Sequence, residues 1–298
     1  MKSLYIIGNG FDLYHGLPSR YADFHQYVSE FAPELLNRLD AYFDFEVDQN
    51  YLWRNFEQDL CKFDHEGFMD TYNHIDVTSE SFKLSELYGL EDEVTEEADN
   101  LVTDIREQFT DWVGTFDFEE IDRSSYIPVN INTGALFINF NYTDTLEELY
   151  SIPKERILYI HNNANAYDGE LIFGHSEVSD HADTPTFDED GEPTRTMYTD
   201  SQNASRAPFY AFQKDTKAVL KQHRLWFADL KDLDEVTILG HSLGKVDWPY
   251  LRLIHKLSPQ AKWKVSYYGN QERIDLQKRI RSIGRHINFE MITFHDLT

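Results

Sequence analysis

The sequence predicts an α/β fold, with a mostly parallel sheet, helices on both faces and an acidic helical insertion. Short apolar runs alternate with stretches of helical spacing, which favours parallel strands joined by helices. The apolar runs are nearly continuous, as is typical of strands buried on both faces. With 41% apolar and 15% aromatic residues, the chain has enough apolar surface to form a sizeable core.

The first predicted strand ends in a glycine turn. Residues 4–7 form an apolar run that leads directly into Gly8-Asn9-Gly10-Phe11-Asp12. Since Gly8 and Gly10 have no Cβ, backbone N–H groups after the strand can approach a ligand closely, and we expect this loop to form the floor of a ligand site. A dinucleotide fingerprint has three closely spaced glycines, whereas the next glycine here is Gly16. A tight turn that only ends a core strand is therefore an alternative.

Two long segments interrupt the alternation of strands and helices. Residues 32–122 have apolar positions at helical spacing between acidic faces, which predicts a helical insertion or cap within a single domain of residues 1–298. Its most acidic part, residues 90–100, is typical of a solvated helix face. Residues 177–206 are polar, acidic and aperiodic, which predicts a flexible loop or lid.

The alternation resumes in the second half of the chain. The predicted strands after the first are residues 135–140, 157–160, 171–173, 236–239, 263–268 and 287–294. The predicted helices between and after them include residues 209–230, 248–257 and 270–283. Asp144 and Glu147 have the spacing of a capping box, which predicts that a helix begins just after the second strand.

Polar residues follow five of the predicted strands. They are Gly8-Asn9-Gly10, Asn141, His161, His175 and His241-Ser242. Because the carboxyl ends of parallel strands form one rim of a sheet, and ligands bind there, we expect these residues to share one site. The same residue types also cap helices and close turns, an alternative that fits Asp144 and Ser242. It fits His161 less well, since imidazole is a poor helix cap.

The composition limits the classes of partner. A net charge of −26, from 53 acidic and 27 basic residues, would repel phosphate backbones, so nucleic acid is not expected as a partner. The single cysteine, Cys61, excludes an internal disulfide and a four-cysteine zinc ribbon, and the scattered histidines do not predict a metal site. No apolar run approaches the roughly 18 residues of a membrane span, so we expect a cytoplasmic protein without a membrane partner.

Four blocks of the sequence resemble the bacteriophage abortive infection AbiH family. In chain order they are Ile6-Ile7-Gly8-Asn9-Gly10-Phe11-Asp12-Leu13 with His15-Gly16-Leu17-Pro18, Phe140-Asn141-Tyr142-Thr143-Asp144-Thr145-Leu146-Glu147, Ile160-His161, and Gly240-His241-Ser242-Leu243-Gly244 with Asp247. The blocks span nearly the whole chain. The resemblance implies a role in abortive infection against bacteriophage.

More distantly, the order of the blocks resembles that of sirtuin-like NAD-binding domains. This resemblance implies a Rossmann-like (sirtuin-like) sheet with NAD or a related nucleotide as substrate or ligand, and no tightly bound cofactor. By position, it implies that Asn141 orients the attacking water or the nicotinamide ribose and that His161 is a base near that ribose. The implied nucleotide contacts are Gly8, Asn9, Gly10, Phe11, Asp12, His15, Asp144, His175, Gly240, His241, Ser242 and Asp247.

Cleavage of a nicotinamide–ribose bond suits these two residues. The bond breaks through a cation-like sugar, so the site needs a polar group that orients water and a base with a pKa near 7. Cys61 alone cannot form the zinc ribbon of sirtuin deacetylases, which argues against protein deacetylation. We therefore expect an antiphage protein that hydrolyses NAD or a related nucleotide, under the control of homo-oligomer assembly or a phage-derived trigger.

Two other functions are compatible with the sequence. Residues 240–244 match the nucleophile elbow of α/β-hydrolases, with Ser242 as nucleophile and Asp275 and His295 as nominal partners, although no glycine-rich oxyanion loop follows an early strand. Alternatively, the protein is a sensor that binds a nucleotide without turning it over and recruits a partner through its acidic helices.

Overall fold

A computed structural model describes residues 1–45, 47–48, 51–164, 170–178, 187 and 190–298 of the chain. These residues form two compact units. The first, called the sheet unit, comprises Met1–Arg20, Thr110–Ile172 and Asp215–Thr298. The second, called the helical unit, comprises Tyr21–Phe109 and Phe173–Lys214. The helical unit thus begins before the predicted insertion of 32–122 and includes a second segment, while a single domain over residues 1–298 stays a prediction.

Six parallel strands form the sheet. They are β1 (Ser3–Ile7), β2 (Leu136–Asn139), β3 (Ile157–Tyr159), β4 (Glu235–Leu239), β5 (Lys262–Ser266) and β6 (Asn288–Ile292). The strand order is β3-β2-β1-β4-β5-β6, so the chain adds strands on one side of β1 and then on the other. In register, Leu4 of β1 pairs with Leu136 of β2 and with Val236 of β4. The predicted α/β class with a mostly parallel sheet is confirmed.

Thirteen helices are present in the described residues. They are α1 (Asn9–Tyr14), α2 (Tyr21–Phe31), α3 (Pro33–Tyr42), α4 (Phe56–Asp59), α5 (His65–Tyr72), α6 (Ser85–Gly114), α7 (Thr145–Tyr150), α8 (Thr199–Ala204), α9 (Ala207–Ala211), α10 (Thr216–Gln222), α11 (Arg224–Ala228), α12 (Trp248–Leu257) and α13 (Asn270–Ile283). None of these helices is both long and apolar enough to cross a membrane.

The sheet is buried on both faces. Side chains of β1 alternate between two apolar clusters, with Leu4 and Ile6 in one and Tyr5 and Ile7 in the other. The first cluster takes in residues of α10 to α13, such as Val219, Phe227, Tyr250 and Ile280. The second takes in residues of α1 and α7, Phe11 and Leu146. Helices therefore cover both faces, and each fully buried β1 side chain contributes about 1.5–3 kcal/mol of hydrophobic stabilisation.

Aromatic side chains fill the core of the helical unit. The ring of Phe24 lies 5.2 Å from that of Phe56 and 5.2 Å from that of Phe109, and all three side chains are fully buried. A two-stranded antiparallel hairpin, Val47–Asp48 with Tyr51–Leu52, also belongs to this unit. The described residues of this region are mainly helical, and the helical insertion or cap of residues 32–122 stays a prediction.

Two local predictions are wrong. Residues 171–173 form no strand; an isolated bridge joins His175 to Gln213 instead. The predicted helix of 209–230 is three short helices, α9 to α11, because the Asp215 side chain accepts the Ala218 N–H and begins a new helix there. The predicted loop or lid of 177–206 stays a prediction: its end contains α8, and residues 179–186 and 188–189 lie outside the described residues.

Candidate functional site

Four predicted site segments lie at the carboxyl ends of four neighbouring strands. In spatial order, His161 follows β3, Asn141 follows β2, Gly8 follows β1 and His241 follows β4. All four strands are parallel, so these residues lie along one edge of the sheet. The edge includes the position where the chain changes sides, between β1 and β4.

The glycines of this edge allow two loops to pack against each other. A Cβ on Gly8 would lie 2.5 Å from the His241 Cα, and one on Gly10 would lie 2.8 Å from the Gly240 Cα. Gly240 has a φ of +65°, and a Cβ there would lie 2.2 Å from the Phe11 nitrogen. The Gly10 N–H also donates to the Gly240 carbonyl at 2.8 Å. Protein backbone thus occupies the space that we predicted for a ligand beside Gly8 and Gly10.

Asp12 joins helix α1 to the loop after β2. Its Oδ2 accepts the Thr143 hydroxyl and its Oδ1 accepts the Thr145 hydroxyl, each at 2.7 Å. Burial raises the pKa of Asp12 to about 6, while hydrogen bonding to Thr143, Thr145 and Asn141 lowers it. The carboxyl is 1% exposed, so its evident role is to hold the loop that carries Asn141.

The Asn141 side chain is buried at the edge of the sheet with an unused donor. Its backbone N–H donates to Asn139 Oδ1 at 3.0 Å, and Asn139 Nδ2 donates to the Thr143 carbonyl at 3.2 Å, so the end of β2 fixes the loop. The Asn141 residue is 4% exposed. It lies near enough to Asp12 to lower that carboxyl's pKa, yet among the described residues its Nδ2 has no hydrogen-bond partner of ordinary geometry. An unpaired buried donor costs about 1–3 kcal/mol, so Nδ2 is suited to a ligand acceptor or a bound water.

Two imidazoles face one buried carboxylate beside this loop. Asp247 Oδ1 lies 3.9 Å from His161 Nε2, and Asp247 Oδ2 lies 3.4 Å from His241 Nε2. His161 Nδ1 lies 3.3 Å from the Phe140 carbonyl oxygen, and His241 Nδ1 accepts the Leu243 N–H at 2.9 Å. These contacts orient both rings toward Asp247. Both imidazoles therefore lie beside the same buried carboxylate.

The Phe140 side chain separates the two imidazoles. Its ring lies 5.4 Å from His161 and 4.4 Å from His241, in both cases edge-on. The Tyr142 ring stacks on His161 at 5.9 Å. Aromatic rings on these sides hold the imidazoles in place.

A family model describes this chain over nearly its whole length. The model of the bacteriophage abortive infection AbiH family matches residues 4–267. This range covers the first five strands, apart from Ser3, and all four predicted site segments at the edge of the sheet. The chain belongs to the AbiH family. Membership supports a role in phage abortive infection. No curated protein and no solved structure matches the chain.

A second polar cluster of the AbiH chain joins the end of β3 to the start of α7 and was not predicted. The Tyr159 hydroxyl lies 2.7 and 2.6 Å from the two Glu147 carboxylate oxygens and 3.3 Å from Asp144 Oδ1. Asn163 Nδ2 also donates to Asp144 Oδ1. Burial raises the pKa of Glu147, with a smaller contribution from the charge of Asp144. Asp144 occupies the predicted N-cap position of α7, but its side chain makes no cap bond, so the predicted capping box is wrong.

His15 of the AbiH chain has both ring nitrogens engaged within the protein. Because the Phe11 carbonyl can only accept, His15 Nδ1 donates to it at 2.7 Å, and Nε2 then accepts the Tyr150 hydroxyl at 2.7 Å. Phe11, Tyr14, Tyr126 and Tyr150 surround the imidazole. Burial lowers its pKa to about 4, so the ring is neutral near pH 7. This geometry favours packing over the predicted nucleotide contact.

The arrangement around Ser242 does not resemble a catalytic triad. Ser242 is exposed, and no hydrogen bond joins its hydroxyl to a histidine among the described residues. The nominal acid, Asp275, instead accepts from Gln271 and Lys278 at 3.0 and 3.2 Å. Gly240 and Leu243 have positive φ, whereas Ser242 does not. The esterase alternative requires a strained turn at its nucleophile, and Ser242 does not have that backbone conformation.

The remaining predicted contacts lie in different surroundings. Asn9 is exposed, and its Nδ2 donates to the Ser19 carbonyl at 2.7 Å. His175 belongs to the helical unit, where its Nε2 donates to the Phe209 carbonyl at 3.0 Å. Burial lowers the pKa of His175, and its Nδ1 has no partner among the described residues. All the nucleotide contacts stay predictions.

No metal centre is evident in the part of the chain that the structure describes. That part contains no group of three or more His, Cys, Asp or Glu side chains placed to hold an ion. Cys61 is a free thiol, and burial raises its pKa.

Proposed function

We propose that the protein acts in abortive infection by binding NAD, or a related nucleotide, at the carboxyl edge of its sheet and hydrolysing the bond to the nicotinamide. The observation that carries the proposal is the buried Asn141 side chain, which lies beside the Asp12 carboxyl and whose Nδ2 has no hydrogen-bond partner of ordinary geometry among the described residues. Asn141 belongs to the edge of the sheet that holds His161 and Asp247. Family membership supports the biological role.

The sheet topology supports a nucleotide as the ligand class. Counted along the chain, the strand order is third, second, first, fourth, fifth, sixth, which is the order of doubly wound Rossmann-like sheets. Such sheets bind ligands beyond the carboxyl ends of their strands, where the order reverses. Here this position falls between β1 and β4.

Three side chains have properties suited to the reaction. In this assignment, Asn141 orients the attacking water or holds the ribose, and His161 accepts the proton of that water. Asp247 lies 3.9 Å from the His161 ring and supplies a counter-charge. The free thiol of Cys61 fits a reducing cytoplasm, the location we propose.

Release of nicotinamide from NAD tests the proposal. Purified protein is incubated with NAD, and the products are separated by liquid chromatography; the same measurement is made on extracts of infected and uninfected cells, because abortive defence implies a trigger. We expect nicotinamide release by the wild type and at least about 10²-fold less by Asn141→Ala or His161→Asn. His286→Asn, at an exposed histidine of the same unit, is the matched control and should act as wild type.

Two results would contradict the proposal. Phage protection that survives in Asn141→Ala and His161→Asn cells would remove the catalytic assignment. NAD binding, measured by calorimetry, without nicotinamide release in infected cells would instead favour a sensor.

A further inference from the structure

We propose that Asp247 and His241 are positioning residues for His161, with one buried carboxylate shared between two imidazoles of opposite tautomer. This inference rests on the proposed function, in which His161 is the base. Each carboxylate oxygen faces a different ring, Oδ1 toward His161 Nε2 at 3.9 Å and Oδ2 toward His241 Nε2 at 3.4 Å. Asp247 is 7% exposed, so solvent screens these interactions little.

The backbone partners determine the two tautomers. The Leu243 N–H can only donate, so His241 Nδ1 is the acceptor and the neutral ring carries its proton on Nε2, facing Asp247. The Phe140 carbonyl can only accept, so His161 Nδ1 is the donor and its neutral ring presents an Nε2 lone pair. Asp247 lies nearer to His241, the ring with the N–H directed at it. The difference between the two distances agrees with this assignment.

The tautomer of His161 makes Nε2 the proton acceptor in the proposed step. The water oxygen bonds to C1′ of the ribose, while the C1′–N bond breaks and its electron pair leaves with the nicotinamide nitrogen, which becomes neutral. One water proton passes to His161 Nε2. The imidazolium that forms then directs one N–H at the Phe140 carbonyl and the other at Asp247. The carboxylate thus stabilises the charge that the step creates on the base, and His241 holds the carboxylate in place.

Two phenols lie near this trio in the part of the chain that the structure describes. Tyr142 stacks on His161 from the loop after β2. Tyr250 of α12 has a pKa raised by burial and, to smaller extents, by the charges of Asp247 and Asp215. Because the pKa of Tyr250 is raised further above its ordinary value, this phenol stays protonated near pH 7.

Nitrogen-15 NMR of the full-length protein, labelled at histidine, tests the proposal without NAD. In the wild type we expect neutral His241 to carry Nε2–H and neutral His161 to carry Nδ1–H. Asp247→Asn should lower the pKa of His161 by at least about one pH unit and leave exposed His286 unchanged. Asp229→Asn, which removes an exposed carboxylate of the same unit, is the matched control and should change neither. An unchanged His161 pKa in Asp247→Asn, or the opposite tautomers, would overturn the proposal.

Kinetics separates this inference from the proposed function. Asp247→Asn should lower kcat for nicotinamide release about tenfold or more, move the acidic limb of the pH profile to lower pH, and leave KM within about twofold. If the wild type releases no nicotinamide, but the tautomers and the His161 pKa change in Asp247→Asn are as expected, the proposed substrate is wrong and the shared carboxylate is supported. If Asp247→Asn releases nicotinamide at the wild-type rate and with the wild-type pH profile, Asp247 does not position His161. If Asp247→Asn does not fold, the wild-type tautomers alone decide.

Discussion

Two buried histidines of the sheet unit, His15 and His161, lie in contrasting surroundings. His15 uses one ring nitrogen for the Phe11 carbonyl and the other for the Tyr150 hydroxyl, within an aromatic cluster. His161 uses Nδ1 for the Phe140 carbonyl and turns Nε2 toward a carboxylate 3.9 Å away. Both residues are less than 5% exposed, so burial does not distinguish them. The partners of the ring nitrogens do, because the Tyr150 hydroxyl occupies Nε2 of His15, whereas Nε2 of His161 faces the Asp247 carboxylate.

The glycines beside the two regions show the same contrast. Gly16 follows His15 with a φ of +85°, and a Cβ there would have no neighbour within 4 Å. Gly240 precedes His241 with a φ of +65°, and its Cβ would lie 2.2 Å from the Phe11 nitrogen. The backbone is therefore tightly packed in the candidate site and open beside His15.

The largest expected effect is on turnover in a His161 variant, and it tests the contrast between His161 and His15 most directly. His161→Asn removes the proton acceptor, and we expect nicotinamide release by the folded variant to fall about 10²–10⁴-fold. Because the Phe140 carbonyl loses its ring partner, we expect the free energy of unfolding to fall by about 1–3 kcal/mol as well. Urea denaturation and product chromatography on the same preparation measure both quantities. If nicotinamide release falls only in proportion to the loss of folded protein, His161 is a packing residue like His15.

The second prediction compares alanine at the two glycines. Gly240→Ala combines an unfavourable φ with a backbone clash, and we expect a loss of about 3 kcal/mol or more in the free energy of unfolding. Gly16→Ala meets only the unfavourable φ, for a loss of about 1 kcal/mol. Chemical denaturation measures both. Similar losses would show that the two loops at the edge of the sheet are not tightly packed.

The third prediction concerns stability at His15. His15→Leu leaves the Phe11 carbonyl and the Tyr150 hydroxyl without their ring partner, and we expect a loss of about 2–3 kcal/mol. His286→Leu, at an exposed position, should stay within about 0.5 kcal/mol of wild type. Nicotinamide release by folded His15→Leu should equal that of the wild type. A selective loss of NAD binding in this variant would restore the nucleotide contact that we predicted for His15.

The smallest expected effect is a pair of opposite pH dependences. The pKa of Asp12 is about 6 in the folded protein against 3.8 as the ordinary value, so its contribution to stability is full below pH 3.8 and is lost as the pH rises through 6. The pKa of His15 is about 4 against 6.5, so its contribution is full above pH 6.5 and is lost as the pH falls through 4. Between pH 4 and 6 the two contributions oppose each other.

Single variants should reveal each slope. Relative to wild type, Asp12→Asn should make stability rise with pH by about 1 kcal/mol more per pH unit between pH 4 and 6. His15→Leu should make it fall with pH by a similar amount. Urea denaturation at three pH values measures the slopes. A change of the same sign in both variants would contradict the folded-state pKa of one of the two groups.

Much of the sheet could be predicted because its signals are local. Predicted strands of four to eight residues identify β1 to β6, and α12 and α13 coincide with the predicted residues 248–257 and 270–283. The false strand at 171–173 has the same local signal, since Leu171 and Phe173 are buried, but these residues have no strand beside them. A short apolar run indicates burial and does not determine pairing.

The site could be predicted in position and only partly in detail. The polar residues after the strands were found because parallel strands share one carboxyl edge. The packing role of His15 depends on Tyr150, 135 positions away, which no local pattern reveals. Asn139 had a usable signal, as a polar residue at the end of an apolar run, whereas Tyr159 and its contact with Glu147 had none.

The central claim is that a nucleotide binds where Asn141 and His161 meet the edge of the sheet. A crystal structure of the protein soaked with NAD tests it most directly, using His161→Asn to slow turnover. We predict nucleotide density with the nicotinamide ribose within hydrogen-bond distance of Asn141 Nδ2 and next to position 161. Density confined to another part of the molecule, or none at millimolar NAD in crystals with an open site, would contradict the claim.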